Sequence, residues 1–169
     1  MANKVVVIGY GNPGRCDDGL GPALAEALER LRIPGVTVEF DYQLTVEDAA
    51  AVAAHPFAVF ADAAVEGRAP FFFRAVQPAG QTSFSSHSLE PEAVLALARD
   101  LFRAETRGYA LGIRGYRFSE FGEALSEKAQ ENLAAALRFI VPVLRECAFD
   151  AAASAAEGID SPAQMRKRP

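Results

Sequence analysis

Two kinds of side chain in this sequence are spaced so that they could act together on one ligand, namely carboxylates that follow apolar runs and an imidazole in a serine-flanked segment. Asp17 and Asp18 end the glycine-rich stretch Gly9-Tyr10-Gly11-Asn12-Pro13-Gly14-Arg15-Cys16, and Gly19 follows them. Asp62 closes the apolar run Phe57 to Ala61, and His87 sits within Ser85-Ser86-His87-Ser88. Carboxylate oxygen and neutral imidazole nitrogen are the ligand set of a divalent first-row metal, and three protein ligands leave positions open for a substrate group. Asp18, Asp62 and His87 form the candidate triad. Each also has an ordinary use: an acid before a helix is by default an N-cap, an acid after a strand an Asx-turn, and a loop histidine a solvated residue.

Three other chemistries compete for the same residues. Gly9-x-Gly11-x-x-Gly14 after a strand matches the dinucleotide fingerprint, with Glu39 or Asp41 as its ribose acid. Asp17 and Asp18 oppose it, because a pyrophosphate approaching that helix start would meet two carboxylates. Cys16 with His87 as base could make a thiol protease, but the neighbouring acids would raise the thiol pKa. Gly11-Asn12-Pro13-Gly14 resembles the opening of peptidyl-tRNA hydrolases. That family needs a histidine soon afterwards, where this chain has Asp17-Asp18 and only His55 and His87 further on.

The elements that must position these residues alternate along the chain. Lys4 to Gly9 is a β-branched run feeding a Gly/Asn/Pro cluster, a buried strand expected to be the most central one. Leu20 to Arg32 spaces Leu20, Leu24, Leu28 and Leu31 as one helical face. Val36 to Asp41 predicts a second strand, Thr45-Val-Glu-Asp48 a capping signature before Ala49 to Ala54, and Phe57 to Asp62 a third strand. Pro70 to Val76, with Phe71-Phe72-Phe73, follows after a link too short for a crossover helix, so it predicts an antiparallel edge strand. The three phenylalanines suit either an exposed docking edge or a strand buried on both faces. Pro91 to Phe102 predicts a helix, Gly108 to Ile113 a fifth strand, and Ser126 to Cys147 a long Ser-capped helix interrupted by Pro142.

The rhythm predicts an α/β fold of three layers, a twisted, mostly parallel five-stranded sheet with helices on both faces. In such sheets the reactive crevice lies beyond the carboxyl ends of the strands, where Asp18, Asp62 and the His87 segment fall. The 169 residues, half of them hydrophobic, suit one domain, placed at residues 1–149. From 150 to 169 the composition turns to Ala, Ser, Gly and charge and predicts a disordered tail. A net charge of −5 without a Lys/Arg stripe argues against a nucleic-acid partner. The opening apolar run is too short for export or a membrane span, and two distant cysteines suit reduced thiols, so a cytoplasmic location is expected.

Taken together, the motifs resemble those of the hydrogenase maturation endopeptidases: a strand, Gly-x-Gly-Asn, a variable stretch, then Asp-Asp/Glu-Gly-x-Gly. Here the pattern reads Gly9-Tyr-Gly11-Asn12 through Asp17-Asp18-Gly19-Leu20-Gly21. Val59-Phe-Ala-Asp62-Ala is similar to the family's second acidic motif and Ser86-His87-Ser88-Leu89 to its histidine motif, and the similarity spans roughly residues 4 to 147. The resemblance implies an endopeptidase that removes the C-terminal extension of a nickel-iron hydrogenase large-subunit precursor after nickel insertion. It also implies that Asp18, Asp62 and His87 meet a nickel ion carried by the substrate, that another divalent ion could occupy the site, and that no organic cofactor is bound.

Several details follow from the same resemblance. Asn12 would hold the loop, Asp17 would cap the first helix, and Gly11, Gly19 and Gly21 would let the substrate backbone approach. Asp18 stands where better-known members carry Glu and reaches about 1.5 Å less. Tyr42-Gln43-Leu44-Thr45 replaces a Gly-Gly-Thr loop, and its Gln43-Leu44 form resembles proteases that serve soluble, cofactor-reducing hydrogenases. A monomer is expected, with the large-subunit precursor as its partner, and a chaperone that grips the nickel-loaded subunit without cutting it is the alternative of a different class.

Overall fold

The computed structural model describes residues 4–80 and 89–157. Five strands, β1 (Val5–Tyr10), β2 (Val36–Asp41), β3 (Phe57–Ala64), β4 (Phe71–Val76) and β5 (Arg107–Arg114), form one sheet in the order β2-β1-β3-β5-β4. All pairs are parallel except β4 with β5, which is antiparallel. The short β3–β4 link therefore produces the edge strand that its length dictates. The central strand is β3, not β1. Which strand ends up in the middle depends on the order of insertion, and an apolar run carries no mark of it.

Every residue of β1 is buried, as a β-branched strand covered on both faces should be. Its side chains alternate between two cores. Val5 and Val7 face α1 (Leu20–Leu31), α4 (Glu127–Glu146) and α5 (Phe149–Glu157). Val6, Ile8 and Tyr10 face α2 (Asp48–Ala53) and α3 (Pro91–Phe102). In α1 the buried stripe is Leu20, Gly21, Leu24, Ala25 and Leu28, whereas Leu31 is 49% exposed. The helix stops there with Arg32 in a left-handed conformation (φ 48°).

Phe73 stacks on Tyr109 (5.5 Å between centroids) and meets Phe139 edge-on, while Phe71 packs on Phe139 at 4.9 Å. Phe72 points to the opposite core. The phenylalanine triplet is thus a strand packed on both faces.

Packing continues past Phe149, which corrects the expected end of the ordered domain. Residues 149–157 form α5, with Phe149 and Ala153 buried against β4 and β5. Phe149 lies 4.8 Å from Phe57 and 5.1 Å from Tyr109, and Asp150 accepts the Tyr109 hydroxyl at 2.5 Å. An Ala/Ser-rich stretch looks unable to bury much, but these contacts come from residues 40 and more positions away. Residues 158–169 lie outside the described residues.

Candidate functional site

Parallel strands deliver their following loops to one mouth of the sheet. After β1 the backbone turns through Gly11 (φ 146°), and the Gly11 N–H donates to the Asp41 carbonyl at the end of β2 (3.0 Å). The Asn12 Oδ1 accepts the Gly14 N–H at 2.9 Å, a bond that closes the loop on itself. A 3-10 turn over Cys16–Gly19 then leads directly into α1.

Asp18, in that turn, is 3% exposed, and its Oδ2 accepts the Asn12 N–H at 3.0 Å. The loop therefore folds back on itself around this carboxylate. Asp62 is 1% exposed and lies inside β3, not at its end. β3 outruns its neighbour: pairing with β1 stops at Gly9↔Ala61, whereas pairing with β5 continues to Ala64↔Arg114. Asp62 is the first residue past the end of the β1 ladder, and its Oδ1 accepts the Ala63 N–H at 2.8 Å. The two acids thus stand at the carboxyl ends of adjacent parallel strands. His87 lies outside the described residues, in 81–88. Among the described residues no three His, Cys, Asp or Glu side chains cluster as a metal site.

Beside this mouth is a cleft of ≈ 280 Å³ lined by Gly11, Pro13, Pro22, Phe40, Asp41 and Tyr42. Phe40 and Tyr42 are exposed, as are Gln43 and Val46. Sequence reasoning singles out Gln43 and misses the aromatic pair. A signal for it exists, since large aromatic side chains at a strand end beside a glycine- and proline-rich loop suit a binding surface.

Asp17 does not cap α1, whose N-cap is Gly19 with no side-chain bond. Completely buried, it turns the other way: Oδ2 accepts the N–H groups of Tyr116 (2.7 Å) and Arg117 (2.9 Å) and the Ser126 hydroxyl (2.7 Å), and Oδ1 accepts the Ser126 N–H (2.7 Å). Burial alone would raise its pKa. The bonds from Ser126, Arg117 and Tyr116 outweigh burial and hold the carboxyl below its ordinary value.

Gly19 and Gly21 also face inward. A Cβ on Gly19 would stand 3.0 Å from Pro13 Cα, and one on Gly21 would stand 2.3 Å from the Tyr10 carbonyl oxygen and 2.5 Å from that of Ala61. They serve the protein's own packing and not a substrate's approach. Cys16 is buried, with Gly122 over its sulfur. His55 bridges Thr37 Oγ1 (3.0 Å) and the Ala51 carbonyl (2.7 Å) at the far end of the sheet, which suits a purely structural residue.

A second acidic pair stands behind the cleft. Asp48 accepts the Thr45 N–H at 2.7 Å, half of the expected capping box. Burial, opposed by that bond but reinforced by Asp41 and Glu39, pushes its pKa up to about 6.

No protein-family model matches the chain, and no curated protein matches it. Solved structures do. The NiFe hydrogenase maturation protease HycI from Thermococcus kodakarensis KOD1 superposes with a TM-score of 0.65 at 23% identity, over 85% of this chain and 93% of its own. The hydrogenase maturating endopeptidase HybD from E. coli gives a TM-score of 0.65 at 20% identity, over the same shares of the two chains. HybD from Thermococcus kodakarensis gives 0.55 at 19%, over 83% of this chain and 99% of its own. At such identities the likeness is one of architecture, and it spans more than four fifths of the chain: this chain has the fold of the hydrogenase maturation proteases.

Proposed function

We propose that this protein is an endopeptidase that removes the C-terminal extension of a nickel-iron hydrogenase large-subunit precursor once nickel is in place. The observation that carries the reading is the pair of buried carboxylates, Asp18 and Asp62, at the ends of adjacent parallel strands beside an open cleft. Two buried acids at the mouth of an α/β sheet are costly unless a cation or hydrogen-bond donors compensate them. The likeness of fold to HycI and HybD, both named as maturation proteases, supports the same conclusion.

In this reading the nickel belongs to the substrate. Asp18, Asp62 and His87 meet it, so the scissile segment is held only when the metal has been inserted. A metal near the scissile bond polarises its carbonyl and acidifies a bound water, and a carboxylate accepts the water's proton. The cleft lined by Phe40 and Tyr42 takes the chain beside the scissile bond, since aromatic walls hold an extended peptide while Gly11 leaves room for its backbone.

The deciding experiment incubates nickel-loaded and nickel-free precursor with the wild type and with Asp62→Asn, and weighs the products. Loss of the C-terminal extension only from the loaded precursor, and only with the wild type, is expected. Equal processing in all four reactions refutes metal-gated proteolysis. A tight complex in which the precursor keeps its full mass identifies a chaperone instead.

A further inference from the structure

Four residues other than glycine have positive φ among the described residues: Cys16, Arg32, Arg103 and Cys147. Three of them close helices, at the ends of α1, α3 and α4, where a left-handed residue is the ordinary stop signal. Cys16 (φ 49°) closes nothing. It sits two residues before Asp18, at the start of the turn that presents the acid. A strained residue outside a cap persists only where its surroundings over-determine it.

The surroundings here are the loop 115–126 and Asp17. The Cys16 N–H donates to the Gly122 carbonyl (2.7 Å), the Gly122 N–H to the Gly14 carbonyl (2.9 Å), and the Asp17 N–H to the Arg117 carbonyl (3.0 Å). The Asp17 carboxylate then gathers the four donors of Tyr116, Arg117 and Ser126. Gly115 makes the approach possible, because a Cβ there would stand 2.9 Å from the Asp17 Cβ. Above the junction the Arg15 guanidinium lies 5.2 Å from the centre of the Phe121 ring. A fully buried carboxylate with four donors is a far stiffer tie than a helix cap needs.

We propose that Asp17 is a positioning residue, which clamps the turn carrying Asp18 to the loop between β5 and α4 and so fixes the direction of the Asp18 carboxylate. The inference rests on the endopeptidase reading for its consequence and on hydrogen-bond geometry for its substance. Because Asp17 and Asp18 are consecutive in one 3-10 turn, any slack at Asp17 rotates Asp18 away from its bond to the Asn12 N–H.

Asp17→Asn is the informative change. Its single carbonyl oxygen can keep the three bonds made by Oδ2, but its NH₂ then faces the Ser126 N–H. Two measurements are made on the full chain: amide exchange at Asn12, which reports the bond to Asp18, and cleavage of the nickel-loaded precursor. Asp150→Asn, which loosens α5 far from the site, supplies the baseline for simple destabilisation.

Asp17→Asn is expected to speed Asn12 exchange about tenfold under conditions where the fold stays intact. It is expected to lower kcat about 100-fold with KM changed less than about threefold, because misplacing one group costs the transition state more than binding. Should Asp17→Asn not fold, Ser126→Ala is expected to show the same two effects in weaker form and Ser126→Thr, which keeps the hydroxyl, to restore both. Wild-type protection at Asn12, or a kcat loss no greater than that of Asp150→Asn, overturns the clamp. If the wild type cleaves no precursor, the endopeptidase reading fails, and Asn12 exchange still decides whether Asp17 positions Asp18.

Discussion

Gly9 of β1 and Gly21 of α1 interlock: a Cβ on Gly9 would stand 2.3 Å from the Gly21 carbonyl oxygen. This contact lets α1 lie directly on the strands whose ends carry the two acids. Gly21→Ala places a methyl between the carbonyl oxygens of Tyr10 and Ala61 and is expected to cost about 1–3 kcal/mol through forced backbone shifts. Gly9→Ala is expected to cost a similar amount. Denaturant unfolding of the two variants checks this, with a lowered midpoint and an unchanged slope as the outcome.

Asp48 sets a pH dependence of opposite sign to that of Asp17. Its folded pKa, about 6, lies above the ordinary 3.8, so its contribution to stability is complete below about pH 4 and is lost as pH rises through 6. Asp48→Asn keeps an oxygen for the Thr45 N–H and removes the charge beside Asp41. It is expected to raise the melting temperature at pH 7 and to leave it little changed near pH 4. The folded pKa of Asp17 is lowered, so its contribution is present above 3.8 and is lost as pH falls below it. Asp17 therefore contributes to the acid limb of the melting profile, together with Asp100 and Asp150, whose carboxyls are also held below their ordinary value.

Phe149 joins α5 to the sheet through Phe57 and Tyr109. Phe149→Ala opens a cavity in that junction and is expected to cost about 3–5 kcal/mol, read by thermal melting. Tyr109→Phe keeps the ring and loses the hydroxyl bond to Asp150, so a smaller drop is expected. The Tyr109 phenol is pushed up to about 12 by burial and Asp150, so wild-type stability also falls as pH rises from 10 through 12, and Tyr109→Phe lacks that limb.

Asp62→Asn retains an oxygen for the Ala63 N–H and is expected to leave the melting temperature within a few degrees of the wild type. Precursor cleavage is expected to fall by about two to four orders of magnitude, the usual span for losing a carboxylate that handles protons or metal. Single-turnover assays with a fixed precursor concentration measure it.

Much of this architecture was legible in the sequence, for physical reasons particular to each element. Val36–Asp41 and Pro91–Phe102 have the bounds that their residues announce, a β-branched run after Pro-Gly and a helix with proline at its first position. The antiparallel edge strand followed from a link too short to cross the sheet. What stayed hidden was non-local. The partners of Asp17 are 99–109 residues away, so its local position before α1 pointed to a cap it does not make. Asp62 reads as a strand end because acids often stop strands, yet the register with β5 carries β3 two residues further. The helix after Phe149 is made by ring contacts with distant phenylalanine and tyrosine, which its own alanine-rich composition cannot reveal.

Because β2, β1, β3 and β5 all point the same way, the molecule has a working end and an idle one. The idle end carries the connections at 32–35, 54–56 and 103–106, and in the last of these Arg103 and Glu105 are exposed while Ala104 and Thr106 hold the turn to the core. A fluorescent tag or affinity handle spliced there would sit a full strand length from the acids. This is the place to fasten the protein to a surface or a dye when its encounter with a large partner is to be watched without blocking the approach.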